Sequence, residues 1–127
     1  MPDNKQGNKK KNSFLQSLQF VGLGKEKDYF LENLSALLAS GMPIIDAVLT
    51  VEAEIRATAL KNLIKTLAED VQAGLSLGKA MENSGVFSPH ITSLIKIGEK
   101  SGRLAENLKI ISLEQQKERD LKSKLRS

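Results

Sequence analysis

The 127 residues contain no cysteine and no tryptophan. The missing cysteine excludes disulfides, thiolate metal sites and cysteine nucleophiles together. It is compatible with a reducing compartment. A single histidine, His90, is too few for a histidine metal site or a Ser-His-Asp triad. Aromatics are scarce, one Tyr and four Phe. Core volume must therefore come from Leu, Ile, Val and Ala, which favour packed helices when they recur at helical spacing. Proline is confined to the N-terminus (Pro2) and to expected helix starts (Pro43 and Pro89), as a helical fold requires. Long apolar runs are also lacking. The best stretch, residues 34–51, holds Gly41, Pro43 and Asp46 in its middle. A membrane-spanning helix needs about 20 predominantly apolar residues, so two amphipathic helices meeting at a turn explain the stretch better. Residues 1–12 are polar and lysine-rich, unlike a secretory signal.

What is present suits one soluble domain. The length fits a single unit, and 27% charged with 40% hydrophobic residues is ordinary for a globular chain. The net charge of +4 is concentrated at the ends. Lys5, Lys9, Lys10 and Lys11 face only Asp3 at one end; Lys117, Arg119, Lys122, Lys124 and Arg126 crowd the other. Such clusters suit nucleic acid, anionic lipid headgroups, or simply a solvated tail and helix face.

Residues 1–24 read as a basic extension, its first dozen too polar to bury a core. Phe14, Leu15, Leu18 and Phe20 outline a short amphipathic segment, which Gly22 and Gly24 break. From Asp28 the helical spacing is strong: Phe30, Leu31, Leu34, Leu37 and Leu38 form one stripe. Gly41 is a C-terminal stop and Pro43 suits the first turn of a second helix, with Asp46 at its positive end. Ile44, Ala47, Val48 and Val51 give that helix its apolar face. A third helix starts near Thr58, carries Leu60, Leu63, Ile64, Leu67 and Val71, and ends at Gly74. Ser76 caps a short fourth helix with Leu77, Ala80 and Met81 inward, closed by Gly85. Ser88 and Pro89 open a fifth, whose face is Ile91, Leu94 and Ile95. Gly98 and Gly102 bracket its end, and a sixth begins near Leu104 with Leu108 and Ile111. The expected fold is all-α, a compact antiparallel six-helix bundle.

Catalysis has little support. The acids are scattered and fall mostly on predicted outer faces. Gly22 and Gly24 have neither a preceding strand nor a third glycine in register, so they make no dinucleotide loop. The segment Gly74-Leu75-Ser76-Leu77-Gly78-Lys79 faintly resembles a phosphate loop but lacks its spacing, and reads as a helix join. His90, in a first turn, reads as solvent-facing or capping. The informative segment is Ile97-Gly98-Glu99-Lys100-Ser101-Gly102-Arg103-Leu104. Gly98 permits close helix approach and Gly102 a left-handed turn. Glu99, near a helix end with Ser101, suits a hydrogen-bond network, a subunit contact or an oxygen-rich metal site. A plain helix C-terminus is the fourth alternative.

Gly98-Glu99-Lys100-Ser101-Gly102-Arg103-Leu104, followed by Leu108, resembles the Gly-Glu-x-Ser-Gly-x-Leu signature of the type II secretion system F family. Leu37-Leu38-Ala39-Ser40-Gly41-Met42-Pro43, with Asp46-Ala47 after it, is similar to that family's Leu-Leu-x-x-Gly-x-Pro turn. Gly74-Leu75-Ser76-Leu77 with Ala80 resembles its Gly-x-Ser-Leu…Ala join, and Phe87 with Pro89 its Phe-Pro-like step. The pieces fall in family order over residues 25–127.

The resemblance implies a non-catalytic scaffold of a bacterial inner-membrane platform, for type II secretion or type IV pilus biogenesis. Members are polytopic, commonly with two similar cytoplasmic helical domains, and sit beside the assembly ATPase. The implied partners are a second copy of the domain, that ATPase, other platform proteins, and pilins or pseudopilins. The resemblance also implies interface calcium in some members, which carries over only to Glu99. Gly41, Pro43, Gly74, Gly98, Glu99, Ser101, Gly102 and Leu104 are the implied architectural or interface residues. The departure is that no span is present. The basic run at residues 122–127 is of the kind expected before a first span, on the positive-inside rule. The expectation is therefore the first of two cytoplasmic domains, at the cytoplasmic face, with the membrane reached through a span outside this chain. A helical nucleic-acid-binding domain is the rival reading, without a basic recognition helix or a stacking platform to support it.

Overall fold

The computed structural model describes residues 24–126. It forms α1 (Gly24–Ala39), α2 (Ile44–Glu54), α3 (Thr58–Gln72), α4 (Leu77–Ser84), α5 (Pro89–Ser101) and α6 (Leu104–Arg126). No strand occurs among the described residues. The amphipathic segment around Phe14 to Phe20 lies outside them.

Local chemistry sets most of the boundaries. The Ser76 and Ser88 side chains accept the backbone N–H groups of Lys79 and Ile91, at 3.2 and 3.3 Å. Pro89 follows as the first residue of α5, where its missing N–H has no intrahelical partner to lose. Gly41, Gly74, Gly85 and Gly102 all have positive φ and end helices, where a Cβ would be strained. One expectation shifts. Pro43 is not in the first turn of α2 but caps it, at φ −59° and ψ 149°. Its carbonyl accepts the Ala47 N–H at 2.9 Å, while its extended ψ delays the helix until Ile44. Gly24 is the first described residue of α1, and the break expected at Gly22 lies outside the described residues.

Side-chain contacts fix the helix directions. Tyr29 in α1 donates to Glu54 at the far end of α2, at 2.5 Å. Ser35 of α1 donates to the Ala105 carbonyl near the start of α6, at 2.9 Å, and Asp28 of α1 meets Arg119 near its end. His90 at the start of α5 pairs with Glu114 of α6, while Asn107 of α6 donates to the Leu94 carbonyl. Each of these pairs runs antiparallel. Consecutive helices pack on one another and α6 closes back on α1, the most extensive pairing of all. The joins at Gly41–Pro43, Gly74–Ser76 and Gly102–Arg103 therefore share one end of the bundle. The joins at residues 55–57 and 85–88 share the other, with the start of α1 and the last turns of α6.

Leu34, Val48, Leu60, Ile64, Leu67, Met81, Ile95, Leu108 and Ile111 are fully buried. Each large aliphatic side chain contributes about 1.5–3 kcal/mol by leaving water, before its ordering entropy is subtracted. Phe30 and Phe87 meet as tilted rings with centroids 6.3 Å apart. No helix among the described residues is long and apolar enough to cross a membrane. The apolar stretch at residues 34–51 is cut by the turn between α1 and α2.

Candidate functional site: the α4–α5–α6 junction

The first N–H groups of any helix lack intrahelical acceptors and form a positive end. At α4 three of them are satisfied by side chains. The Lys79 N–H goes to Ser76, its own cap. Those of Leu77 and Gly78 go to Glu99, a residue of α5: Oε2 accepts from Leu77 and Oε1 from Gly78, both at 2.8 Å. One carboxylate thus bridges two N–H groups of a neighbouring helix, a charge-assisted geometry stronger than a neutral pair. The faint phosphate-loop look of residues 74–79 has this physical basis. The α4 N-terminus does bind an anion, and the anion is supplied by the protein itself.

Two glycines make room for this latch. A Cβ on Gly78 would lie 2.5 Å from Lys96 Cγ and 3.0 Å from Glu99 Oε1. A Cβ on Gly98 would lie 2.9 Å from the Leu104 Cα and 3.1 Å from the Arg103 carbonyl, backbone atoms that cannot swing aside. Gly98 also accepts the Arg103 N–H at 2.8 Å across the turn, and Gly102 holds φ +71°. Ser101 donates back to the Ile97 carbonyl at 2.9 Å and stays exposed. Leu104 begins α6 half-buried. Beside the latch, Glu82 of α4 pairs with Lys96 of α5 and with Lys79 at 3.2 Å. Hydrogen bonding from Lys96, then from Lys79, holds the Glu82 carboxyl below its ordinary 4.5.

The structure brings Gly74, Gly98, Glu99, Ser101, Gly102 and Leu104 to this junction. Gly41 and Pro43 lie at the same bundle end but one join away. Gly78, Lys96 and Asn107 belong to the junction and were not singled out by sequence. Gly78 lies two residues after the Ser76 cap, in the first turn of α4, which is the signal available for it. Acids fall mostly on outer faces, with two exceptions. Glu99 turns to α4, and Asp28 is buried at 5% exposure against Arg119, Nε to Oδ2 2.6 Å. His90 is exposed as expected, paired with Glu114 at 2.8 Å. Calcium takes six to eight oxygen ligands. Both oxygens of Glu99 are engaged, and no group of three or more His, Cys, Asp or Glu that could hold a metal occurs among the described residues. The junction of one chain does not fit that ion.

Comparison with known proteins agrees with the sequence motifs. The family described as Type II secretion system (T2SS), protein F matches residues 30–127. A type IV pilus assembly protein PilC of Thermus thermophilus is 26% identical over 81% of this chain and 25% of its own length. A type II secretion system protein F of Pseudomonas aeruginosa is 35% identical over 62% of this chain and 20% of its own. One from Vibrio cholerae is 33% identical over 66% and 21%. The chain thus spans a quarter or less of these relatives. With a match over most of its length, the chain belongs to the type II secretion system protein F family.

Proposed function

We propose that this domain is a non-catalytic scaffold of a secretion or pilus-assembly platform, held at the cytoplasmic face of a bacterial inner membrane. The family match over residues 30–127 carries the reading. The names of the relatives, type II secretion protein F and type IV pilus assembly PilC, supply the machine. In this role the exposed helix faces dock a second copy, the assembly ATPase and other platform subunits, and link the ATPase to the addition of pilins or pseudopilins. The polar residues of the junction serve the fold: Glu99, Ser76 and Asn107 each satisfy backbone groups. A rigid body of helices transmits force without rearranging, which suits a coupling element.

The test is co-purification of the chain with the assembly ATPase of the same organism. Retention of the ATPase that survives high salt supports the coupling. Separate elution under all conditions overturns it, and salt-sensitive retention of nucleic acid instead would favour the rival reading.

A further inference from the structure

α6 has 23 residues, against 16 for α1 and 13 for α5, the two helices it packs on. Arg119 still ties it to Asp28 of α1, but every residue from 120 to 126 is exposed. These two turns carry Leu121 at 60% and Leu125 at 79% exposure, the most exposed large apolar residues described. Spaced i and i+4, the two leucines share one side of the helix. At about 100° per residue, Lys117 and Lys124 edge that side on one flank, and Lys122 and Arg126 on the other. Ser123 points the opposite way. Residues 117–126 hold five cations and two acids. With Arg119 engaged by Asp28, the other four cations outnumber Glu118 and Asp120 two to one.

An apolar stripe edged by Lys and Arg suits a helix lying in the plane of an anionic lipid surface. The leucines enter the acyl boundary, and the long cationic side chains reach the headgroup phosphates. Two other occupants fit worse. A second copy of the same face would set cations against cations. Nucleic acid would meet the cations and leave the leucines in water.

We propose that the last two turns of α6 lie on an anionic bilayer surface, Leu121 and Leu125 inward, with Lys117, Lys122, Lys124 and Arg126 at the headgroups. This goes beyond the scaffold reading, which assigns the domain itself no lipid contact. The two fail separately, since an absent lipid contact leaves co-purification with the ATPase untouched.

The absence of tryptophan makes the test clean. Leu125→Trp and Ser123→Trp each give the full chain a single tryptophan, on the leucine side and opposite it. Both positions are exposed, and unchanged urea midpoints check the fold. Each variant is titrated with vesicles of phosphatidylcholine, without and with phosphatidylglycerol. The proposal predicts that Leu125→Trp emission shifts to the blue on the anionic vesicles only, while Ser123→Trp emission stays as in buffer. Adding Lys122→Gln and Arg126→Gln to Leu125→Trp should weaken that binding about 25-fold, about fivefold per cation. A blue shift in neither variant overturns the proposal, even if the chain sediments with the vesicles, because the lysine-rich residues 1–12 would then account for the attachment. Equal shifts in both variants, or on neutral vesicles, overturn it as well. So does a blue shift that grows with protein concentration without vesicles, which would make a second copy the occupant. Binding to duplex DNA without binding to vesicles would assign the cations to nucleic acid instead and overturn it too.

Discussion

Two carboxylates hold opposite ends of this bundle by different chemistry. Glu99 closes the α4–α5 seam by accepting two backbone N–H groups, donors that the main chain supplies whatever the side chains, proline excepted. Asp28 closes the α1–α6 seam at the other end through a side chain, Arg119, near the opposite terminus of the chain. The first contact needs only a glutamate and a glycine that lets it approach. The second needs two residues that match. A backbone-directed latch leaves a short motif in the sequence, whereas a side-chain clamp leaves no local trace.

The comparison breaks most visibly at Glu99. Glu99→Ala strands two N–H groups at a buried helix start, each costing about 1–3 kcal/mol. Partial access of water lowers the total to about 2–4 kcal/mol, read as a lower urea midpoint at unchanged slope. Glu99→Gln keeps one acceptor and loses the charge facing the helix dipole, and costs about half as much. A Glu99→Gln variant as stable as the parent would mean that shape rather than the charge and the second acceptor matters.

The clamp at the other end should respond asymmetrically. Arg119→Met leaves a carboxylate at 5% exposure without its cation. A fully buried pair broken this way loses about 3–5 kcal/mol. The Arg119 side chain is 39% exposed, so water reaches the site and about 1–3 kcal/mol is expected. Asp28→Asn leaves the arginine free to turn to solvent and should cost less. Denaturation of both variants in parallel checks the order, and the reverse order would remove the argument from burial.

The same contrast explains what the sequence disclosed. Ser76, Ser88, Gly102 and the start of α6 at Leu104 are legible because caps and turns act within a few residues. The apolar stripes place Leu34, Ile64, Ile95 and Leu108 inside, since helical period and burial go together. Glu99 was visible as a residue of a motif, but not its partners, which are backbone atoms of another helix. Gly78 lies within the faint phosphate-loop likeness, which does not name Glu99 as the anion. Pro43 could be placed only to within one residue, because its φ suits both the cap and the first turn while its ψ is set by the chain before α2. Asp28 carries no local signal of its partner. Only the closing of α6 on α1 gives it a partner.

The smallest effect separates the latch from its neighbours on the same seam. Glu82 holds its proton less tightly in the fold than its ordinary value of 4.5, first because of Lys96 and then because of Lys79. A carboxyl lowered by folding contributes stability that is fully present above the unfolded value and is lost as the pH falls through the folded one. The contribution should therefore disappear below pH 4.5. Lys96→Met keeps the aliphatic stem beside Gly78 and removes the ammonium, the larger of the two causes. Its stability should sit slightly below that of the parent near neutrality, and the two curves should converge on acidification. Curves that stay parallel from about pH 6 to about pH 3 would show that this exposed pair adds nothing to the seam, leaving the Glu99 fork as its polar fastening.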